Sequence, residues 1–354
     1  MNGCLEKVKF PEESMKILKS LALEWGDDVD QIGNDDYLEV IHLTNSFTNH
    51  IYKVNWGSKS QNSVLSQNSV LVRIYGERRD LFLDSEEEIK TFEWMSNHGY
   101  GPCLYGHFPN GRVEQFINGR TLSPDDLHNP DISAIIATKI REFHTLEKPG
   151  STNPVLWGEL RKLLNDAKTL SSAEIKKEFG LESLEEEINV LENILSNDSS
   201  QQVVFCHSDL RGDNMIFNET TKHLTLIDYE YACYNPAAYD LANHFCEMSA
   251  NYNSETPHIL DYSKYPGREE RHRFIRIYLT YKGYQPTQFE IEKLDDDVEK
   301  YTLANHLNFG LWAIITVEAR SNIPDFNLLE FARQRFKQYW FRKSKVLEYR
   351  TCNA

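Results

Sequence analysis

Hydrophobic periodicity changes once along this chain, near Asn118-Gly119, and that change limits the fold more than any composition figure. Upstream, three short runs rich in β-branched and aromatic residues, YLEVIHL, HIYKVNW and VLVRIYG, alternate with segments rich in Asn and Ser, which predicts an antiparallel meander between Tyr37 and Tyr75. A helix is predicted before it over 11–25, with Met15, Leu18, Leu21, Ala22 and Trp25 at helical spacing, and another after it over 86–98, ending at Gly99. The strands CLYGHF and RVEQFI follow. Downstream the spacing turns helical, at 131–146, 155–170, 182–196, 240–252, 268–282, 288–318 in pieces and 328–343, around one β-rich island from Val203 to Tyr231. The expected architecture is α+β in two lobes, 1–117 strand-rich and 118–354 mainly helical, with a hinge near Gln115 to Gly119 and a ligand cleft between the lobes.

Charge narrows the partners. The 354 residues correspond to about two domains, and 38 Lys and Arg against 54 Asp and Glu leave a formal charge of −16. Such a surface repels phosphodiester backbones and anionic lipid, so neither nucleic acid nor a membrane is expected and a small cation is. Six cysteines, at 4, 103, 206, 233, 246 and 352, include no C-x-x-C pair and read as thiols of a reducing compartment. No run approaches the roughly 20 apolar residues of a membrane span, and neither end matches a leader or a lipidation box, so a cytoplasmic location is expected. SQNSVL occurs twice in succession, at 60–65 and 66–71; its even length keeps strand alternation in phase and reads as a longer surface hairpin.

Chemistry concentrates in the island. The strand VVF runs into His207-Ser208-Asp209, a polar loop with Gly212 and Asn214 follows, and Asp228 comes fourteen positions later within LIDYEY. An Asp, an Asn five residues on and a second Asp on the next hairpin is the spacing of a kinase catalytic loop. It lets Asp209 reach an attacking hydroxyl while Asn214 and Asp228 offer hard oxygens to Mg²⁺. Either acid alone is a common turn residue. The whole set in a two-lobed chain points to phosphoryl transfer, with His207 read as a loop-stabilising residue.

The residues around this loop carry a resemblance. CHSDLRGDN, IDYEYACYNPAAYDLANHFCEM, YSKYPGREER and GLWAII closely resemble the eukaryotic choline and ethanolamine kinases, those of plants above all, from about Tyr37 to about Trp340. The related aminoglycoside phosphotransferases share only the broader H-x-D-x-x-x-x-N and the later Asp. The resemblance implies a protein-kinase-like fold, ATP and Mg²⁺, Asp209 as catalytic residue and Asn214 with Asp228 on the metal. It further implies that Arg73 contacts phosphate and is oriented by Glu88, that the main chain of Glu114-Gln115-Phe116-Ile117 receives adenine, and that the loop around Thr44 covers the phosphates. There Thr48 and Asn49 keep the family's character, whereas Asn45 and Ser46 stand where glycines are common, which would weaken nucleotide binding. Arg211 replaces an uncharged residue near the nucleotide, where a cation either helps hold phosphate or repels a cationic substrate.

For the alcohol, the resemblance implies a cage of Tyr231, Tyr252, Phe309, Trp312 and Phe331 with Glu247 as the nearby acid. A quaternary ammonium donates no strong hydrogen bond, so aromatic faces must hold it, each for roughly 0.5 to 2 kcal/mol. Phe309 and Phe331 replace a Trp and a Tyr of the usual pattern and thin the cage. The function that follows is ATP-dependent choline kinase, making phosphocholine for phosphatidylcholine synthesis. Ethanolamine kinase is the alternative, toward which those two replacements lean, and a catalytically impaired member of the same fold is a second. A homodimer is expected from the resemblance alone.

Overall fold

The computed structural model describes residues 10–27, 38–43, 49–56, 68–76, 85–196, 202–319 and 326–347. It divides into two units, Met1–Asn118 and Gly119–Ala354. The first carries α1 (Glu12–Glu24), β1 (Leu38–Leu43), β2 (Asn49–Trp56), β3 (Asn68–Tyr75), α2 (Ser85–Asn97), β4 (Leu104–Phe108) and β5 (Gly111–Gln115). Its strands form one antiparallel sheet in the order β1-β2-β3-β5-β4. Period-two alternation turns Val54, Trp56, Val70 and Val72 to one face, where Leu18, Leu21 and Ala22 of α1 close over them with Phe108 and Val113. Trp25 stacks on Trp56 at 5.3 Å, tying the end of α1 to the sheet. Of the duplicated SQNSVL, only Asn68–Leu71 of the second copy falls among the described residues, as the start of β3.

The second unit begins with β6 (Arg120–Thr121), α3 (Pro124–His128), α4 (Pro130–Phe143), α5 (Leu156–Leu170), α6 (Ala173–Phe179) and α7 (Leu184–Ser196). Then come β7 (Val203–Cys206), β8 (Met215–Phe217), β9 (Leu224–Leu226), β10 (Cys233–Pro236), α8 (Ala237–Glu247), α9 (Arg268–Leu279), α10 (Gln288–Ala319) and α11 (Leu328–Leu347). Two small antiparallel sheets, β6-β8-β9 and β10-β7, hold the island. β6 and β10 escaped sequence reading because two and four residues are too few to display alternation.

The expectation of a broken helix over 288–318 is corrected: α10 is one helix of 32 residues. Its stretch from Lys300 to Leu307 is buried at every position, so the amphipathic stripe that marks a surface helix is missing. Gly310 is part of the reason the helix can sit so deep, since a Cβ there would lie 2.8 Å from the Phe336 ring of α11. α8 is likewise buried at all of its positions and runs beneath the island. No described helix is long and apolar enough to cross a membrane.

Candidate active site

The loop expected to be catalytic runs from β7 to β8 and meets the turn that follows the β8–β9 hairpin. Asn214 donates its side-chain N–H to the Asp209 carboxylate at 2.7 Å and to the Asp209 main-chain oxygen at 2.9 Å. Ile227 N–H donates to Asn214 O at 3.0 Å, which sets Asp228 beside the same loop. His207 clamps the two halves: its Nε2–H donates to Ile227 O at 2.9 Å and its Nδ1 accepts from Asp209 N at 3.3 Å. Burial holds this imidazole below its ordinary pKa, consistent with a neutral strut. Ser208 and Asp228 have φ of +67° and +69°, a conformation non-glycine residues rarely adopt. Gly212 is required by packing, because a Cβ would sit 2.5 Å from Leu122 O.

One face of α8 supports this loop. Asp240, Asn243, His244 and Glu247 recur at helical i, i+3, i+4, i+7 spacing. Asp240 accepts main-chain N–H from His207 at 2.8 Å and Ser208 at 2.7 Å, Asn243 accepts from Leu210 N at 2.6 Å, and His244 Nδ1 reaches Leu210 O at 3.1 Å. His144, at the end of α4, donates Nε2–H to Asp240 at 2.9 Å and accepts at Nδ1 from the Tyr278 hydroxyl at 2.8 Å. Burial alone would raise the Asp240 carboxyl, but His144 and the loop N–H groups hold it below the usual range. Asp209 moves the other way. Burial pushes it up to about 7, with Glu247 and Asp228 adding to the rise and Arg211 opposing it.

The aromatic residues named from sequence meet in this same unit. Phe309 and Trp312 lie 6.5 Å apart edge to face, and Phe326 bridges Phe331 at 5.4 Å to Tyr252 at 6.3 Å. Burial raises the Tyr231 hydroxyl well above its ordinary pKa, the charges of Glu230 and Asp209 adding to it and a hydrogen bond with Trp312 opposing it. Tyr231 therefore lies between Asp209 and the Trp312 indole. Tyr252 donates to Glu247 at 2.7 Å. Arg211 pairs with Asp213 at 2.6 Å and stacks over the Tyr252 ring at 4.1 Å. Arg211 thus lies over a ring that the sequence reading assigned to the ammonium group.

In the first unit Arg73 and Arg112 are directly opposite in β3 and β5. Both are buried, so carboxylates must accompany them. Arg73 reaches Glu114 at 3.6 Å, while Arg112 donates to Glu114 at 2.5 Å and Glu88 at 2.8 Å and lies 4.0 Å over Phe92. Glu88, expected to orient Arg73, is held by Arg112. The expected adenine strip also narrows, because Gln115 N–H is bonded to Cys103 O at 2.8 Å. Phe116, under Lys53 at 3.9 Å, and Ile117 lie beyond the last β5 pairing. Asn49 is buried at the head of β2; Thr44, Asn45, Ser46 and Thr48 lie outside the described residues.

Sequence reading passed over Arg112, Asp240, His144 and Phe326. Asp240 alone had a legible signal, its helical register with Asn243 and Glu247.

The profile of the choline/ethanolamine kinase family matches residues 40–340. The chain belongs to that family. It is 48% identical to probable choline kinase 2 of Arabidopsis thaliana over 97% of this chain and 95% of that one. As a kinase of this family it shares its fold with the choline kinase of Cryptosporidium parvum, at TM-score 0.77 and 26% identity over 94% of this chain and 96% of that one. An ethanolamine kinase of Plasmodium vivax aligns at TM-score 0.75 and 25% identity over 95% and 90%. The two-lobed α+β expectation is borne out, with a smaller unit built on a five-stranded antiparallel sheet and a larger, mainly helical one.

Proposed function

We propose that this protein is an ATP-dependent choline kinase and that the residues above are its catalytic machinery. The observation that carries this reading is the Asp209 carboxylate, pushed up to about 7 and hydrogen-bonded to Asn214, with Tyr231 close enough to feel its charge. As the choline oxygen bonds to the γ-phosphorus, its proton passes to Asp209 and the bond to the departing ADP oxygen breaks. A base whose pKa lies near the working pH is both deprotonated often enough and basic enough for that transfer.

The donor set suits Mg²⁺. Asn214 turns its amide nitrogen to Asp209, which leaves its amide oxygen, with the Asp228 carboxylate, as hard donors. Bound by these two residues, Mg²⁺ would neutralise charge on the nucleotide phosphates. Arg73, Asn49 and the loop residues Thr44, Asn45, Ser46 and Thr48 are assigned to the phosphates, and Phe116 with Ile117 to adenine. Arg112 and Glu88 act through Arg73's neighbour Glu114 and are positioning residues. Tyr231, Tyr252, Phe309, Trp312 and Phe331 are assigned to the ammonium group. A cytoplasmic site of action agrees with free thiols at Cys103, Cys206, Cys233 and Cys246. A homodimer is expected from the family resemblance, and sedimentation checks it.

Coupled ATP turnover with choline and with ethanolamine is the direct test. Choline should give the higher kcat/KM. A higher value for ethanolamine would transfer the assignment to ethanolamine kinase, the reading favoured by Phe309 and Phe331 in place of a Trp and a Tyr.

A further inference from the structure

The rings assigned to the ammonium already hold a cation. Arg335, one turn beyond Phe331 on α11, is fully buried, with its guanidinium 4.8 Å from the Phe331 centroid and 5.1 Å from that of Phe309. It donates to Glu247 at 2.5 Å through Nη2, while Tyr252 donates to the other carboxylate oxygen at 2.7 Å. Both oxygens of Glu247 therefore have a donor from within the chain, and its charge is met by a guanidinium as buried as itself.

These contacts separate two kinds of ammonium. A primary ammonium gains most from acceptors that can take its three N–H groups and from an uncompensated negative charge. While Arg335 is in place Glu247 offers no uncompensated charge, and each of its oxygens has already given one of its two acceptor sites to a donor of the chain. A quaternary ammonium needs apolar surface and ring faces, which Trp312, Tyr231 and the faces of Phe309 and Phe331 turned from Arg335 can supply. We propose that Arg335 sets the alcohol selectivity of this site: by neutralising Glu247 and lying over Phe309 and Phe331, it makes the pocket favour a fully methylated ammonium over a primary one. The proposal rests on the choline kinase reading and makes Arg335 a positioning residue, acting through Glu247 and two rings. It also reassigns Glu247 from counter-ion of the substrate to counter-ion of Arg335.

Binding of two simple probes to the full-length protein tests it, by quenching of tryptophan fluorescence and by thermal shift. Tetramethylammonium should bind at least tenfold more tightly than methylammonium to the unaltered protein. In Arg335→Met that preference should shrink at least tenfold, and adding Glu247→Gln to the same chain should restore it, since the second change removes the exposed charge. A purely structural role for Arg335 would weaken both probes together and leave their ratio unmoved. Equal or tighter binding of methylammonium to the unaltered protein overturns the proposal, as does failure of both probes to bind, or a folded Arg335→Met whose ratio stays within twofold. Should Arg335→Met not fold, Arg335→Gln, which keeps a polar side chain at the buried position and removes its charge, carries the same expectation: a ratio at least tenfold smaller supports the proposal and a ratio within twofold of the parent overturns it. Failure of the choline kinase reading is separately visible, as absence of choline-dependent ATP turnover in a protein that still prefers tetramethylammonium.

Discussion

Replacing Asp240 by Asn tests how the loop that carries Asp209 is held. In the parent, Oδ2 accepts from His207 N at 2.8 Å and His144 Nε2 at 2.9 Å, and Oδ1 accepts from Ser208 N at 2.7 Å. An amide has one acceptor oxygen. If that oxygen takes the Oδ2 place, the new NH₂ group faces the Ser208 N–H; if the amide turns over, two donors lose their acceptor. One buried donor left unmet costs about 1–3 kcal/mol and the loss of charge assistance adds about 1, so a fall in stability of about 2–4 kcal/mol is expected. The main chain of Ser208, at φ +67°, then has one clamp fewer and relaxes, carrying Asp209 with it. A shift on the order of 1 Å at a reacting group lowers the rate by about 100-fold. Urea unfolding would be measured beside steady-state kcat and KM. We expect the stability loss with kcat down about 100-fold and choline KM changed by less than about threefold, the pattern of a group needed in the transition state. A variant that loses the stability but keeps kcat within about threefold of the parent would refute the reasoning, because the loop would then hold its shape without the carboxylate.

Three further predictions follow from individual contacts. Asp209→Asn should abolish turnover while leaving the fold intact. Because the native carboxyl titrates at about 7 against 3.8 unperturbed, this group stabilises the fold fully only below the unfolded value and loses that contribution as pH rises through 7. In metal-free protein the variant should therefore gain stability over the parent between pH 4 and pH 8, by up to about 4 kcal/mol, and a parallel pH dependence of Tm in both proteins would contradict it. Phe309→Trp should tighten choline by about 0.5–1 kcal/mol, a two- to fivefold lower KM with kcat held, because indole offers the stronger ring face; a raised KM would count against ring contact. Arg112→Met takes the guanidinium from two buried carboxylates and should destabilise the first unit by about 3–5 kcal/mol in urea unfolding, and a change under about 1 kcal/mol would contradict its role as their counter-ion.

Local pattern was legible wherever one face of an element meets the core. α1 and the strands β2 and β3 were readable because a single buried face imposes period 3.6 or 2 on their residues. α10 was not, since a helix buried on all sides along much of its length displays no stripe. Asp209, Asn214 and Asp228 were legible for a different reason: a short hairpin joins them, so chain spacing already limits how far apart they can lie. Their supports were not. His144 reaches Asp240 across 96 residues, and no periodicity marks such a pair in advance.

By itself the sequence determined the class of each element, the oxygen donors available at the hairpin and the family resemblance that named the aromatic set. Only the tertiary structure decided which charges meet. Glu247, expected beside a substrate cation, meets Arg335, 88 residues away, and Glu88 meets Arg112, 24 residues away. Electrostatic pairing in a buried site depends on through-space separation and on the high cost of leaving any one charge unmatched, and neither quantity is written in residue spacing.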